Sequence, residues 1–315
     1  MEYVNNTVSG IKIAYIGGGS RGWAWGLMSD LASCDDINGD VYLYDIDLAA
    51  AKNNEIIGNK FNRAEGAKSV WNYHATETID EALTGANFVV ISILPGTFDE
   101  MDSDVHAPEK YGIYQSVGDT SGPGGIVRAM RTIPMYEHIA LKIKENCPDA
   151  WVINYTNPMT LCVKTLYRVF PEIKAFGCCH EVFGTQKFLA RVIEEVFGEK
   201  DVYRGDINVN LPNKGQIPNL PLGAVVETNA VFRANSLEPV LAGPIPAPIY
   251  PLIARICGEQ EMVSEGIAER DLSKIFMAFA NDPLVTCSLA DARKLFKEMV
   301  ENTKEYLTMY DLSIL

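Results

Sequence analysis

The chain has 315 residues, 47% of them hydrophobic and 22% charged, a balance that supports one large core or two domains and excludes a disordered chain. Its formal charge of −14 offers no positive field to a nucleic-acid backbone or an anionic bilayer, so neither is expected as a partner. No apolar run approaches the roughly 20 residues of a membrane span, MEYVNNTVSG at the start lacks the basic and apolar regions of a secretory signal, and seven scattered cysteines do not make a disulfide framework; a reducing, cytoplasmic location is the expectation.

Met1 to Gly10 reads as a loose polar lead-in. Ile11 to Ile16 is strand-like and runs straight into Gly17, Gly19 and Gly22, spaced as G-x-G-x-x-G. In a nucleotide-binding turn of this kind Gly17 allows the tight turn, Gly19 lets the backbone approach a pyrophosphate, and Gly22 packs the next helix closely on the strand. That helix, from about Trp23 to Ala32, would aim its free N–H groups at the phosphates. An ordinary surface turn would use the same glycines, so the next strand decides. Asp40 to Tyr44 ends in Asp45 and Asp47, and a carboxylate at that tip suits the ribose hydroxyls of NAD and repels the 2′-phosphate of NADP.

Leu48 to Phe61 is an Ala-rich helix with a polar face, Trp71 to His74 a short strand, and Glu77 to Leu83 a helix stopped at Thr84-Gly85. Asn87 to Leu94, nearly all apolar, has the texture of a parallel strand covered on both faces, and Pro95-Gly96 ends it at the nucleotide edge. After a mixed stretch from Met101 to Ile113 comes GDTSGPGGIVRAMRTIP, Gly118 to Pro134. Its glycines and proline predict a loop on a special backbone path, over cofactor or substrate, feeding a helix that carries Arg128 and Arg131.

Ala150 to Asn154 is another strand, followed by Tyr155, Thr156, Asn157 and Pro158, where two asparagine amides can reach hydroxyls in the crevice. Thr160 to Val169 is helical, and Ile173 to Gly177 is a strand ending in Cys178, Cys179, His180 and Glu181. Thiols beside an imidazole can hold a metal or move a proton, but neighbours in sequence cannot all face one ion, so a further ligand must come from elsewhere; buried thiols and a core histidine are the plain alternative. Val182 to Phe197 is helical. The alternation to this point predicts a Rossmann-like α/β fold, a mostly parallel sheet with helices on both faces. Beyond it lie turns and prolines from Asp206 to Pro221, a strand from Ala224 to Phe232, four prolines between Gly243 and Pro251, and a helical tail at Leu252–Gly258, Glu259–Ala280 and Ala290–Tyr310. The division expected is a nucleotide-binding domain at 1–198 and a mixed, largely helical region at 199–315, with the tail capping the sheet or building a subunit interface.

Taken together, the glycine turn, GDTSGPGG, NYTNP and GCCHE resemble glycoside hydrolase family 4, the NAD- and divalent-metal-dependent glycosidases, and within it the alpha-galacturonidase and alpha-galactosidase branch. The likeness runs from Ile11 to about Gly198 and resumes near Asn208, through NKGQIPNLP and ANDPLV. It implies that Gly17, Gly18, Gly19, Ser20, Arg21, Gly22, Asp45, Pro95 and Asn154 hold NAD, that Asn157 with Arg128 or Arg131 meets the sugar, that Cys179 ligates manganese or a similar divalent ion, and that His180 assists the leaving group. It also implies the family's chemistry: oxidation at C3, loss of an acidified C2 proton with departure of the aglycone, addition of water, and return of the hydride, in place of two opposed carboxylates. A small-molecule glycoside is the expected partner and a homodimer or homotetramer the expected state.

One departure is large. Family sequences carry, before NKGQIPNLP, a segment with a GINH-like histidine that is the second metal ligand and a tyrosine proposed as the C2 base. Here Gly198 reaches Asn208 in ten residues with only Tyr203 as a tyrosine between, and none of His74, His106, His138 and His180 has that context. An omitted segment accounts for this better than a lost catalytic middle, because the flanking motifs are intact. Three other functions compete: an alpha-galactosidase of the same family, a 2-hydroxy-acid dehydrogenase, for which His180 lacks an Arg–Asp setting, and a non-catalytic NAD-binding protein.

Overall fold

The computed structural model describes residues 1–4, 7–197, 208–233 and 235–314. Strands β1 (Glu2–Val4) and β2 (Thr7–Ile16) lead into helix α1 (Trp23–Ser33), then β3 (Ile37–Tyr44), α2 (Leu48–Phe61), β4 (Trp71–Thr76), α3 (Ile79–Leu83), β5 (Phe88–Ile91) and α4 (Phe98–His106). The long α5 (Gly122–Asn146) precedes β6 (Trp151–Asn154), α6 (Met159–Val169), β7 (Lys174–Gly177) and α7 (Glu181–Phe197). Then come β8 (Asn208–Pro212), β9 (Val225–Phe232), β10 (Leu237–Pro239), α8 (Tyr250–Glu269), α9 (Leu272–Asn281) and α10 (Leu289–Asn302).

One sheet has the order β10-β9-β8-β7-β6-β5-β2-β3-β4. From β4 to β7 all pairs are parallel, which places the reversal of strand order between β2 and β5, where a crevice opens at the carboxyl ends. The sheet is covered on both faces, and β2 shows how: Ile11, Ile13 and Tyr15 pack with α1 and α2, while Ala14 and Ile16 face the layer of α3, α5 and α6. The helical tail caps the same structure. Residues of α8, α9 and α10 share a core with Ile126, Val127, Met130 and Ile133 of α5.

Four expectations are corrected. The lead-in is paired, Glu2–Val4 running antiparallel to Thr7–Ser9. The turn-rich stretch before Pro221 contains β8, whose first four residues are buried and which joins β7 and β9 antiparallel, so the sheet continues past residue 198. The tail breaks at Arg270, in the left-handed region with φ 59°, and not at Gly258. GDTSGPGG is not all loop: α5 begins at Gly122. Pro123 fits a first turn, where its missing N–H costs nothing, and a Cβ at Gly124 or Gly125 would come within 2.5 Å of the Asp104 carbonyl or 2.4 Å of Thr120. The glycines serve close packing of a helix.

Candidate active site at the carboxyl edge of the sheet

The crevice is built from the turns at the carboxyl ends of β2, β3, β5, β6 and β7. Gly17, at φ 94°, turns the chain so tightly that a Cβ there would lie 2.0 Å from the Ser92 carbonyl oxygen. The N–H groups of Gly17 and Gly18 both donate to the Tyr44 carbonyl at 2.9 Å. A Cβ at Gly18 would strike Leu43 at 2.7 Å, and one at Gly19 would meet Ala50 and the Asp45 carboxylate at 2.8 Å. Gly22 departs from expectation, because its Cβ would have nothing within 4 Å; close packing falls on Gly18 and Gly19, while Gly22 is the N-cap of α1. Ser20 and Arg21 complete the turn. Helix α1 has no side-chain cap and no acidic residue in its first turn, which leaves its first N–H groups available to an anion. These features fit a dinucleotide pyrophosphate.

Two side chains brace the turn. Asn54, 2% exposed, donates to the carbonyls of Gly18 (2.7 Å) and Ser20 (2.9 Å) and accepts from Trp25 (2.8 Å). Asp45 accepts the Gly19 N–H through Oδ2 and the Asp47 N–H through Oδ1, both at 2.9 Å. Half-buried, it keeps lone pairs for a ribose while holding the loop. Sequence reading passed over Asn54, although an asparagine on the inner side of an Ala-rich helix was the available signal.

Beyond the glycine turn, the two arginines of α5 part company. Arg131 is 0% exposed; its Nε donates to the Pro95 carbonyl at 2.8 Å and its two Nη atoms grip the Asp104 carboxylate. Burial pushes Asp104 up to about 6, against the pull of Arg131. Arg131 is committed to the fold, and Pro95 enters through its carbonyl. Arg128 is 5% exposed; its Nε donates to the Asn157 carbonyl at 3.2 Å, while Nη1 is buried with no partner among the described residues. Burial lowers its pKa and the charge of Asp119 works the other way. Asn157, before a cis Pro158, donates from Nδ2 to Asp119 at 3.0 Å.

Asn154 is placed differently from the reading that set it against NAD. It is 0% exposed, accepts from Tyr136 and from the Thr156 N–H, and donates to the Thr156 carbonyl and to Met159; it orders the turn that presents Asn157. Cys178, pushed up to about 11 by burial, starts the next turn with its N–H on the Asn154 carbonyl at 2.9 Å. Cys179 is half-buried and His180 exposed. Trp23, the first residue of α1, lies tilted against Tyr155 at 5.6 Å and His180 at 5.7 Å between ring centres, giving the crevice an aromatic wall that sequence reading did not single out. Among the described residues no three His, Cys, Asp or Glu side chains converge as metal donors. Cys179 alone does not make a metal centre, and the junction expected to lack the second ligand lies outside the described residues.

Residues 12–195 match the profile of the family 4 glycosyl hydrolases and residues 165–285 that of their C-terminal domain. An alpha-galacturonidase of Thermoanaerobacterium saccharolyticum is 43% identical, with 98% of each chain covered. That alignment runs over 458 positions against 315 residues here, so the relative carries sequence with no counterpart in this chain. The crystal structure of lplD from Bacillus subtilis is 34% identical with a TM-score of 0.85, covering 93% of this chain and 100% of that one. A 6-phospho-beta glucosidase of Thermotoga maritima, solved with manganese, NAD+ and glucose-6-phosphate, shares the fold at 17% identity and TM-score 0.78, over 94% and 99% of the two chains. With the glycine turn, the switch-point crevice and both profiles in agreement, the chain belongs to family 4 of the glycosyl hydrolases and is a glycosidase of that family.

Proposed function

We propose that the chain hydrolyses terminal alpha-D-galacturonides with NAD as a resident cofactor. The observation that carries the substrate is the unpartnered Nη1 of Arg128, a buried cation behind Asn157 in an otherwise acidic protein. A buried donor left unmade is costly, and a charge-assisted bond to a uronate carboxylate would be stronger than any bond to the neutral hydroxyl of galactose. The relative named as an alpha-galacturonidase supports the same choice.

NAD held at this turn would supply a reversible hydride acceptor for the sugar, the chemistry that makes the neighbouring C2 proton removable. The chain's own groups bind, orient and donate a proton, while the base for the C2 proton, like the second metal ligand, belongs to the segment that family sequences carry before NKGQIPNLP. Gly17 to Gly22 and the start of α1 seat the pyrophosphate, and Asp45 takes the ribose hydroxyls and disfavours a 2′-phosphate. Asn157, steadied by Asp119, orients sugar hydroxyls, and the Trp23–Tyr155 wall limits water beside them. His180 is the proton donor to the departing oxygen. Manganese or a similar divalent ion would use Cys179 as one donor and needs others from outside the described residues. A homo-oligomer stands as part of the same proposal, as does a division of the chain near residue 198 in which β8 and β9 of the second part extend the sheet of the first.

The test is a parallel assay with aryl alpha-galacturonide and aryl alpha-galactoside, NAD and manganese present under reducing conditions. Preference for the uronide is expected. Faster cleavage of the neutral galactoside would overturn the substrate assignment, and NAD binding without cleavage of either would favour a non-catalytic protein.

A further inference from the structure

Trp23 opens α1 directly after the glycine turn and is 50% exposed. A tryptophan left so open is informative, because the residue is highly buried on average and its N–H finds an acceptor where the ring is packed. Trp25 donates its indole N–H to Asn54 at 2.8 Å and Trp71 donates its own to Ser69 at 3.1 Å. The indole N–H of Trp23 has no acceptor among the described residues.

The ring is nonetheless held. It lies against Tyr155 at 33°, 5.6 Å between centres, and Tyr155 is half-buried against the core of β2, β3 and α1, with its backbone N–H on the Ile91 carbonyl at 2.9 Å. Its other neighbour is the exposed imidazole of His180, at 5.7 Å and 56°. Trp23 thus reaches from α1 to the tips of β6 and β7 and offers a fixed aromatic surface with a free donor on its rim. A pyranose matches both features: the C–H groups of one face pack on a π surface, and a ring hydroxyl accepts the hydrogen bond. Because the protein already fixes the indole, little side-chain freedom is lost on binding.

Position selects the sugar. His180, as donor to the departing oxygen, stands at the bond that breaks, so the surface beside it meets whatever that oxygen carries. The galacturonyl ring is taken by Asn157 and Arg128, which leaves Trp23 for the leaving group. We propose that Trp23 forms an aglycone subsite, its exposed ring stacking on a pyranose leaving group and its indole N–H bonding one of that sugar's hydroxyls. The substrate class is then a galacturonide linked to a further sugar rather than to a small alkyl group. This subsite rests on the glycosidase reading, with His180 as the proton donor.

The test compares an alpha-linked digalacturonide with methyl alpha-galacturonide, whose leaving group is too small to cover an indole, on the full chain with NAD and manganese. The unaltered protein should favour the disaccharide in kcat/KM, and Trp23→Ala should reduce that preference roughly tenfold. Trp23→Phe keeps an apolar ring without the N–H and should lose part of it. No preference in the unaltered protein, or a preference undiminished in W23A, would overturn the proposal; a preference undiminished in W23F would overturn it even if W23A failed to fold. Cleavage of neither substrate would fault the glycosidase reading, and calorimetry with the same two ligands then reads the subsite. Tighter binding of the disaccharide that is lost in W23A supports it, and equal binding of the two ligands contradicts it.

Discussion

The glycine-turn end of the crevice and the end around Asn157 to His180 are finished to different degrees. Around Gly17 to Gly22 the bracing side chains are satisfied: Asn54 bonds two loop carbonyls, Asp45 two amides, and Gly17, Gly18 and Gly19 are fixed by contacts that leave no room for a Cβ. Around Asn157 to His180 the structure leaves chemistry open, with an unpaired Arg128 Nη1, a lone Cys179 thiol and an exposed imidazole. On the proposed function, the difference teaches that a cofactor site is preorganised by the chain itself, whereas a sugar site is completed by what binds to it.

Arg131 and Arg128, three residues apart on α5, give the strongest way to break that comparison. Arg131→Ala strands the buried Asp104 carboxylate and should cost about 3–5 kcal/mol, read as a fall in Tm, with little change in substrate preference if the protein survives. Retained Tm would mean that Arg131 is not the structural member of the pair. Gly17→Ala comes next. With a Cβ 2.0 Å from Ser92 oxygen and φ at 94°, it should destabilise by about 2–4 kcal/mol and abolish NAD binding by calorimetry; wild-type affinity would contradict the cradle.

Arg128→Met should leave Tm nearly unchanged and reduce the uronide-over-galactoside ratio of kcat/KM by about 1.5–3 kcal/mol, or roughly tenfold to a hundredfold. An unaltered ratio would remove Arg128 from the sugar. Asn54→Ala leaves two loop carbonyls without their donor and should weaken NAD by about 1–2 kcal/mol. Asp45→Ala should have the smallest effect on NAD itself, since the Gly19 amide can turn to water, while bringing NADP affinity close to that of NAD; persistent selectivity would assign the discrimination to another group.

Much of the parallel sheet was legible because β2, β3 and β5 to β7 carry short apolar runs ended by turn residues, and because three glycines and Asp45 lie at consecutive strand tips. Other features depend on distant partners. Gly122 to Gly125 read as loop since propensity counts against glycine in a helix, and only the nearby backbone of Asp104 and Thr120 explains them. Gly22 matched the motif without the close contact the motif implies. Sequence could not separate Arg128 from Arg131, because residues three apart share a helix face and the difference lies in Asp104 on α4. Asn154 stood at a strand tip like a ligand-binding residue, yet Tyr136 and Thr156 take up its amide. The strand β8 was hidden by its two asparagines and its one proline; Asn208 and Asn210 are buried here in a strand paired on both sides.

The central claim is hydrolysis through reversible oxidation, and its most direct test is cleavage of an aryl alpha-D-galacturonide in deuterium oxide with NAD and manganese present, the sugar product being read by NMR while NADH absorbance is followed. The account predicts deuterium at C2 of the released galacturonate and no net NADH. A product that keeps its original C2 proton would contradict it.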